Sequence, residues 1–265
     1  MNAASKKAIL IVSFGTSYEN TRKRTIDAIE RDIADAFPVC PAYRAWTSKM
    51  IIAKLKKRDG IIIHTVKEAM EQMLLDGITD VIVQPTHVIN GIENDQMKAD
   101  ALSFRDRFSS IVFGNPLLTT EEDNQAIVRV VADEFRDMDP DTALVLMGHG
   151  TEHYANTVYA ALDYRFKDTG HKNIFLGTVE AYPALDSLLR AADSFHPKKI
   201  VLAPFMIVAG DHAQNDLAGA DPDSWMNRLS SEGYEVTPVL KGLGEYPQVR
   251  QILVEHVQQA MNVSV

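Results

Sequence analysis

Apolar runs of strand length alternate with longer segments of helical periodicity along this chain. Several of these runs are continuous stretches of Val, Ile and Leu, which are typical of parallel strands covered on both faces. The clearest are Ala8–Phe14, Asp80–Gln84, Ile111–Gly114, Thr142–Met147, Ile174–Thr178 and Lys199–Ala203. Two shorter candidates are Ala42–Ala45 and Glu235–Pro238.

The segments between the strands carry helix signals. Thr65–Glu68 is a capping-box sequence that opens a helix, and Gly77 is placed to close it. A second capping box is expected at Thr119–Glu122, and further helical patterns cover Ala184–Phe195 and Tyr246–Met261. The regular alternation of strand and helix predicts an α/β fold with parallel sheets.

The chain also repeats part of its own pattern. Ile9–Thr16 resembles Leu144–Thr151, since each is a strand that ends in a Gly-Thr turn. Asp80–Pro85 resembles Lys199–Pro204 in the same way. In both of these later segments a glycine lies six positions after the proline, and an Asn-Asp pair follows soon after it.

This repeat predicts two pseudo-symmetric lobes, each a four-stranded parallel sheet flanked by helices. A length of 265 residues suits two halves of about 130 residues each. We place the N-terminal lobe at residues 1–125 and the C-terminal lobe at residues 126–265, joined near residues 121–139 by a long helix. The lobes are expected to face each other across a cleft, because ligands of open α/β sheets bind at the carboxyl ends of the strands.

Three polar side chains follow strands of the predicted C-terminal lobe. His149 lies between Gly148 and Gly150, which let the backbone turn sharply, and Glu180 and His212 follow two other strands. Neighbouring strands would bring the three within reach of one metal ion. Two neutral imidazoles and one carboxylate suit Co²⁺, Ni²⁺, Fe²⁺ or Zn²⁺, and three ligands leave open positions. The spacing also fits another interpretation, in which the histidines cap turns and Glu180 is a solvated loop carboxylate.

The predicted N-terminal lobe lacks the same set of residues. Phe14 stands where the other lobe has His149, and Glu93 takes the place of His212 when the glycines are matched. The repeat has therefore diverged at the positions of the candidate metal ligands. This asymmetry fits one metal site on one wall of the cleft.

The other histidines carry weaker expectations. His87 follows a strand and is expected to face the cleft, either as a structural histidine or as a contact for a substrate or second metal. His153 lies close to His149 in the sequence and is a candidate for tuning it. The rest are expected at the surface or in helix caps: His64, His171, His196 and His256.

The net charge of −9 argues against a nucleic-acid partner, which requires a basic face. Local basic residues near the predicted cleft are Arg44 and Lys49, and an arginine pairs well with carboxylates. A charged surface at the start of a helix is the alternative for this pair.

Cysteine content and known motifs exclude several other chemistries. The single cysteine, Cys40, allows neither an internal disulfide nor a cysteine metal cluster. The chain has no GxSxG elbow, Walker loop or GxGxxG after its first strand. The apolar run Ala8–Phe14 is too short for a membrane span and lacks a following cleavage site. We therefore expect a cytoplasmic protein without a membrane partner.

Four motifs lie at or near the ends of predicted strands: SFGTS at 13–17, MGHGT at 147–151, VEAYP at 179–183 and VAGDHAQND at 208–216. Together they resemble one known family, the anaerobic cobalt chelatases that act on sirohydrochlorin. The stretches AWTSKMI, KKRDGI, HVINGIEND and GLGEYPQVR are similar to the same family. The resemblance covers essentially the whole chain, and the combination is more specific than any one motif.

The resemblance implies a class II chelatase fold with a tetrapyrrole between the lobes. It also implies that His149, Glu180 and His212 bind Co²⁺ as the substrate metal, without a prosthetic group, in the oxygen-independent route to cobalamin. The implied ring is sirohydrochlorin or its reduced precursor precorrin-2, whose carboxylates Arg44 and Lys49 are placed to meet. Ser13, in the first motif, and His87 are the other candidate contacts to the ring.

In the implied reaction two pyrrolic protons leave as the metal enters. His149 or His212 accepts a proton while Glu180 balances charge, and the residues do not decide between the two histidines. Because the imidazoles must be neutral, activity is expected to fall as the pH drops below about 6.5. A haem site found in secreted relatives is not carried over to this chain.

Two alternatives remain at this point. One is a ferrochelatase that acts on sirohydrochlorin or protoporphyrin, since affinities follow the ion more than the site. The other is a two-lobed tetrapyrrole or metal carrier, which would bind its load without turnover. A homo-oligomer is compatible with the sequence.

Overall fold

The computed structural model describes residues 6–263 of the chain. Eight strands lie within this range, and every pair of hydrogen-bonded neighbours is parallel. The strands are β1 (Lys7–Ser13), β2 (Ala42–Trp46), β3 (Asp80–Pro85), β4 (Ser110–Phe113), β5 (Thr142–Gly148), β6 (Ile174–Thr178), β7 (Lys199–Pro204) and β8 (Glu235–Pro238). All eight predicted strands are confirmed, and their ends differ from the predictions by no more than a residue.

The strands form two four-stranded sheets of identical topology. One has the order β2-β1-β3-β4 and the other the order β6-β5-β7-β8. In each sheet the first strand of the chain is central, with the second strand on one side and the third on the other. The repeat that the sequence predicted is therefore confirmed at the level of strand order.

Helices connect the strands and cover the sheets. In the described range they are α1 (Glu19–Arg24), α2 (Ile26–Ala36), α3 (Lys49–Asp59), α4 (Val66–Leu75), α5 (Ile92–Leu102), α6 (Glu121–Glu134), α7 (Thr157–Asp168), α8 (Leu185–Ala192), α9 (Trp225–Ser231) and α10 (Pro247–Val263). Short 3-10 turns lie at Arg105–Arg107, Tyr154–Asn156 and Leu243–Glu245, and a π-helical turn lies at Ala213–Leu217. Among the described residues, no helix combines the length and the apolar character needed to cross a membrane.

The capping box at the start of α4 is confirmed. The Thr65 hydroxyl accepts from the Glu68 backbone N–H at 3.4 Å, and the Glu68 carboxylate accepts from the Thr65 N–H at 2.7 Å. Gly77 follows the helix in the left-handed region, with φ of 74°, as expected of a residue that ends a helix.

The capping box at the start of α6 lies one residue later than predicted. Thr120, with φ of −107° and ψ of 168°, accepts from the Asp123 N–H at 3.1 Å, and Asp123 accepts from the Thr120 N–H at 2.8 Å. The Thr119 hydroxyl instead donates to the Pro116 carbonyl at 2.9 Å. The prediction of a box at Thr119–Glu122 was therefore wrong by one position, because the preceding turn already uses Thr119.

Two compact units make up the fold. One comprises the described residues up to Thr119 together with α10, and the other comprises Thr120–Tyr246. The division predicted from the sequence differs in placing residues 247–265 with the second lobe. Helix α10 packs against α2, β3 and β4 of the first unit, where its Val249, Leu253 and Val257 side chains are fully buried.

His256 does not lie at the surface, as the sequence had suggested. It is buried in α10, and its Nδ1 lies 3.0 Å from the Asn115 carbonyl oxygen. The residue is three positions after Leu253 and four before Ala260, both buried, so it shares their face of the helix. Of the others expected at the surface or in caps, His64 and His196 are exposed, and the His196 N–H donates to Ala192 at the end of α8.

Candidate metal centre

His149, Glu180 and His212 come together in the second unit. They follow β5, β6 and β7, which are neighbours in the order β6-β5-β7, and one ligand atom from each lies within 4.8 Å of the others. His149 Nδ1 is 3.7 Å from Glu180 Oε2, and His212 Nε2 is 3.9 Å from Glu180 Oε1. The imidazole rings are perpendicular, with centroids 4.6 Å apart. The expected proximity of the three side chains is therefore confirmed.

Backbone hydrogen bonds fix the three loops to one another. The Val179 N–H donates to the Gly148 carbonyl at 3.0 Å, and the Glu180 N–H donates to the His149 carbonyl at 2.9 Å. These bonds extend the β5–β6 pairing beyond the sheet. The Phe205 N–H donates to the Met147 carbonyl at 2.7 Å, which ties the segment after β7 to the end of β5.

The two glycines beside His149 have different roles. Gly150 has φ of 87°, and a Cβ there would lie 2.8 Å from Thr178 Cβ and 2.9 Å from the Ala181 nitrogen. Gly150 therefore permits the turn and the close approach of the Glu180 loop. Gly148 has no positive φ, but a Cβ there would lie 2.6 Å from the buried ring of Tyr159.

His212 lies at the start of the π-helical turn Ala213–Leu217. The loop that precedes it is held by the Leu243 N–H, which donates to Met206 at 2.7 Å, and by the Gly244 N–H, which donates to Ile207 at 3.0 Å. On the ring itself, Nδ1 lies 2.7 Å from Asp216 Oδ2, and this leaves Nε2 facing Glu180.

The arrangement has the donors and the access that a divalent metal ion requires. Two ligands about 2.1 Å from a tetrahedral metal lie about 3.4 Å apart, so small side-chain rotations would bring the donor atoms, which lie within 4.8 Å of one another, to metal-binding positions. The His149, Glu180 and His212 side chains are 40, 53 and 30% exposed. An ion held here would therefore keep open coordination positions.

Ser13 and Arg44, expected as tetrapyrrole contacts, already have other partners. Ser13 is 1% exposed at the end of β1, and its hydroxyl accepts from the Thr86 hydroxyl at 2.8 Å. The Arg44 guanidinium is paired with Glu30 and Asp27 of α2, with its Nε 2.8 Å from Glu30 Oε1. The surroundings of both residues indicate roles in the packing of the first unit.

His87 and Lys49 lie beyond the carboxyl ends of strands in the first unit. Both imidazole nitrogens of His87 are buried without a hydrogen-bond partner among the described residues, although part of the residue reaches the surface. Burial lowers the pKa of His87 to about 4, against an opposing effect of Glu93. The ring is therefore neutral near pH 7. Lys49 is the first residue of α3 and is exposed.

His153 has partners in its own turn. Its Nδ1 accepts from the Ala155 N–H at 3.2 Å, which caps the 3-10 turn Tyr154–Asn156, and its ring packs on Tyr154. The sequence reasoning missed Asp216, which lies in the same motif as His212. Its signal was the spacing of four residues in a helical segment, which places two side chains on one face.

Comparison with known proteins identifies the family. The family model described as cobalt chelatase (CbiK) matches residues 7–262. A sirohydrochlorin cobaltochelatase of Salmonella typhimurium is 39% identical over 260 residues, covering 98% of this chain and 98% of the relative. This chain belongs to the CbiK cobalt chelatase family. The resemblance inferred from the sequence motifs is thereby confirmed.

Another similar protein is the sirohydrochlorin cobaltochelatase CbiKC of Nitratidesulfovibrio vulgaris. It is 31% identical to this chain over 265 residues, and the alignment covers 97% of this chain and 92% of the relative. A solved structure of SirB from Bacillus subtilis with Fe³⁺ has a TM-score of 0.67 at 14% identity, covering 98% of this chain and 97% of SirB. The SirB likeness confirms the predicted class II chelatase-like fold.

Proposed function

We propose that this protein is a metal chelatase that inserts Co²⁺ into sirohydrochlorin, with His149, Glu180 and His212 as the residues that bind the metal. The observation that carries the proposal is the convergence of these donors from three adjacent strands. Membership of the cobalt chelatase family and the two sirohydrochlorin cobaltochelatase relatives support the same reaction. Precorrin-2, the reduced precursor, is the alternative ring.

The reaction exchanges one ion for two protons. Co²⁺ first binds between the imidazoles and the Glu180 carboxylate, which offsets part of its charge. The ring nitrogens then bind at the open positions, two pyrrolic N–H protons leave as the cobalt–nitrogen bonds form, and the protein ligands dissociate from the metal. Glu180 lies 3.7 Å from His149 and 3.9 Å from His212, so an imidazole released by the metal can take one proton with a carboxylate beside it, and the second proton passes to solvent at the exposed site. The step needs neither an oxidant nor a nucleotide.

Residues of the first unit have secondary parts in the proposal. Lys49 is exposed and cationic, so it is the proposed partner for a substrate carboxylate. His87 is neutral and has unused ring nitrogens, so it is retained as a contact to the substrate. Ser13 and Arg44 are better explained by their existing partners. Cytoplasmic location and homo-oligomerisation stay predictions.

Anaerobic absorbance of sirohydrochlorin with Co²⁺ tests the proposal, comparing the wild type with His149→Ala and His212→Ala. The wild type should convert many equivalents of ring, and each variant should fall to the uncatalysed rate because a ligand is lost. His171→Ala, in the same unit but outside the cluster, is the matched control and should keep wild-type turnover.

Two other outcomes would replace the proposal. Stoichiometric binding of the ring without turnover would make the protein a carrier. Faster insertion of Fe²⁺ than of Co²⁺ at equal free metal would make it a ferrochelatase, because the donor set alone accepts either ion.

A further inference from the structure

We propose that Asp216 is a positioning residue that fixes the tautomer and orientation of His212 for metal binding. This inference rests on the proposed function. Asp216 Oδ2 lies 2.7 Å from His212 Nδ1. A carboxylate only accepts hydrogen bonds, so this contact places a proton on Nδ1. In the neutral ring, Nε2 then carries the lone pair, and Nε2 is the atom that faces Glu180 at 3.9 Å.

The π-helical turn Ala213–Leu217 places Asp216 beside His212. Ala213 and Leu217 are fully buried and anchor one side of the turn, while His212 and Asp216 remain partly exposed on the other. Gly219 permits the tight backbone, since a Cβ there would lie 2.2 Å from the Asn215 carbonyl oxygen. π-helical turns are rare and are frequent at functional sites.

The internal repeat shows where this placement diverges between the units. In the first unit the Asn-Asp pair begins three residues after Gly91, within the regular helix α5. In the second unit the pair begins five residues after Gly210, within the π-helical turn. The two extra positions put Asp216 four residues after His212. A histidine at the metal cluster and a carboxylate that orients it therefore occur together in one unit.

The two histidines of the cluster are oriented by different groups. His149 Nδ1 lies 2.8 Å from the Gly150 carbonyl oxygen, a backbone group that no side-chain substitution removes. His212 uses a carboxylate instead, which accepts a stronger, charge-assisted hydrogen bond and makes the ring a better metal donor. Removal of Asp216 should therefore weaken metal binding through His212 alone.

Co²⁺ affinity without the ring tests the inference. Asp216→Ala should bind Co²⁺ about 10- to 100-fold more weakly than the wild type, the usual effect of losing such a partner. The Co²⁺ affinity of Asp216→Asn, whose amide oxygen can still accept a hydrogen bond from Nδ1, should lie between those of Asp216→Ala and the wild type. The KM for Co²⁺ should rise by a similar factor, and kcat should change less. Glu152→Gln, which removes an exposed charge from the same unit, is the control and should bind Co²⁺ like the wild type.

A second readout does not depend on catalysis. In ¹⁵N-histidine NMR of the metal-free protein, His212 should be the Nδ1–H tautomer in the wild type and a mixture of tautomers in Asp216→Ala. Unchanged tautomer and unchanged Co²⁺ affinity in folded Asp216→Ala and Asp216→Asn would overturn the inference. If the wild type itself neither binds Co²⁺ nor turns over, the proposed function fails, and the NMR result still decides the tautomer.

Discussion

At the scale of single residues, His87 couples the stability of the fold to pH. Burial lowers its pKa to about 4, whereas an unfolded histidine titrates near about 6.5. Between these values the unfolded chain binds the proton and the folded chain does not. His87 therefore does not lower the free energy of unfolding above about pH 6.5. As the pH falls towards 4 the free energy of unfolding decreases, by about 3 kcal/mol in total.

Urea denaturation between pH 7 and pH 4 checks this expectation. His87→Gln should flatten that part of the pH dependence. The buried amide also changes the free energy of unfolding, but by the same amount at every pH, so the slope is the quantity to compare. His64→Gln, at an exposed histidine of the same unit, should keep the wild-type slope. An identical slope in the wild type and His87→Gln would show that His87 does not titrate as its burial indicates.

At the scale of elements, Thr120 stabilises the start of α6. Its hydroxyl accepts from the Asp123 N–H, which is one of the donors that a helix leaves unpaired at its first turn. Thr120→Ala should lower the free energy of unfolding by about 1 kcal/mol, while Thr120→Ser keeps the acceptor and should cost less than half of that. Thermal or chemical unfolding of both variants gives the comparison. Equal losses in the two variants would contradict a capping role for the hydroxyl.

At the scale of the whole molecule, α10 makes the first unit discontinuous in sequence. Leu253 is fully buried in this helix, and the Arg250 guanidinium is 2.5 Å from Asp32 in α2. Leu253→Ala should cost about 2–5 kcal/mol because it removes buried methyl groups and leaves a cavity. Gln259→Ala, on the exposed face of α10, should change stability by no more than about 0.5 kcal/mol.

Hydrogen exchange locates the effect of Leu253→Ala. Protection of β3 and β4 should fall first, because α10 packs on those strands, and β5 and β7 should lose less. An equal loss across both sheets would show that the two units unfold as one cooperative body.

The sequence by itself determined the strands, their parallel pairing, the repeat and the identity of the three clustered donors. Strand periodicity is local, and residues at the ends of adjacent parallel strands meet whatever the rest of the fold does. The motifs also sufficed to indicate the family, which the comparisons confirmed.

Only the tertiary structure decided which groups pair over long distances along the chain. Arg44 forms ion pairs with Asp27 and Glu30 of α2, and His256 contacts Asn115, which is 141 positions away in the sequence. Helix α10 packs in the first unit, although it follows the second unit in the sequence. The partner of His212 depended on a π-helical turn that apolar periodicity does not encode. Such pairings depend on packing between elements. A local sequence pattern shows which face of a helix is apolar, but it does not show which other element packs against that face.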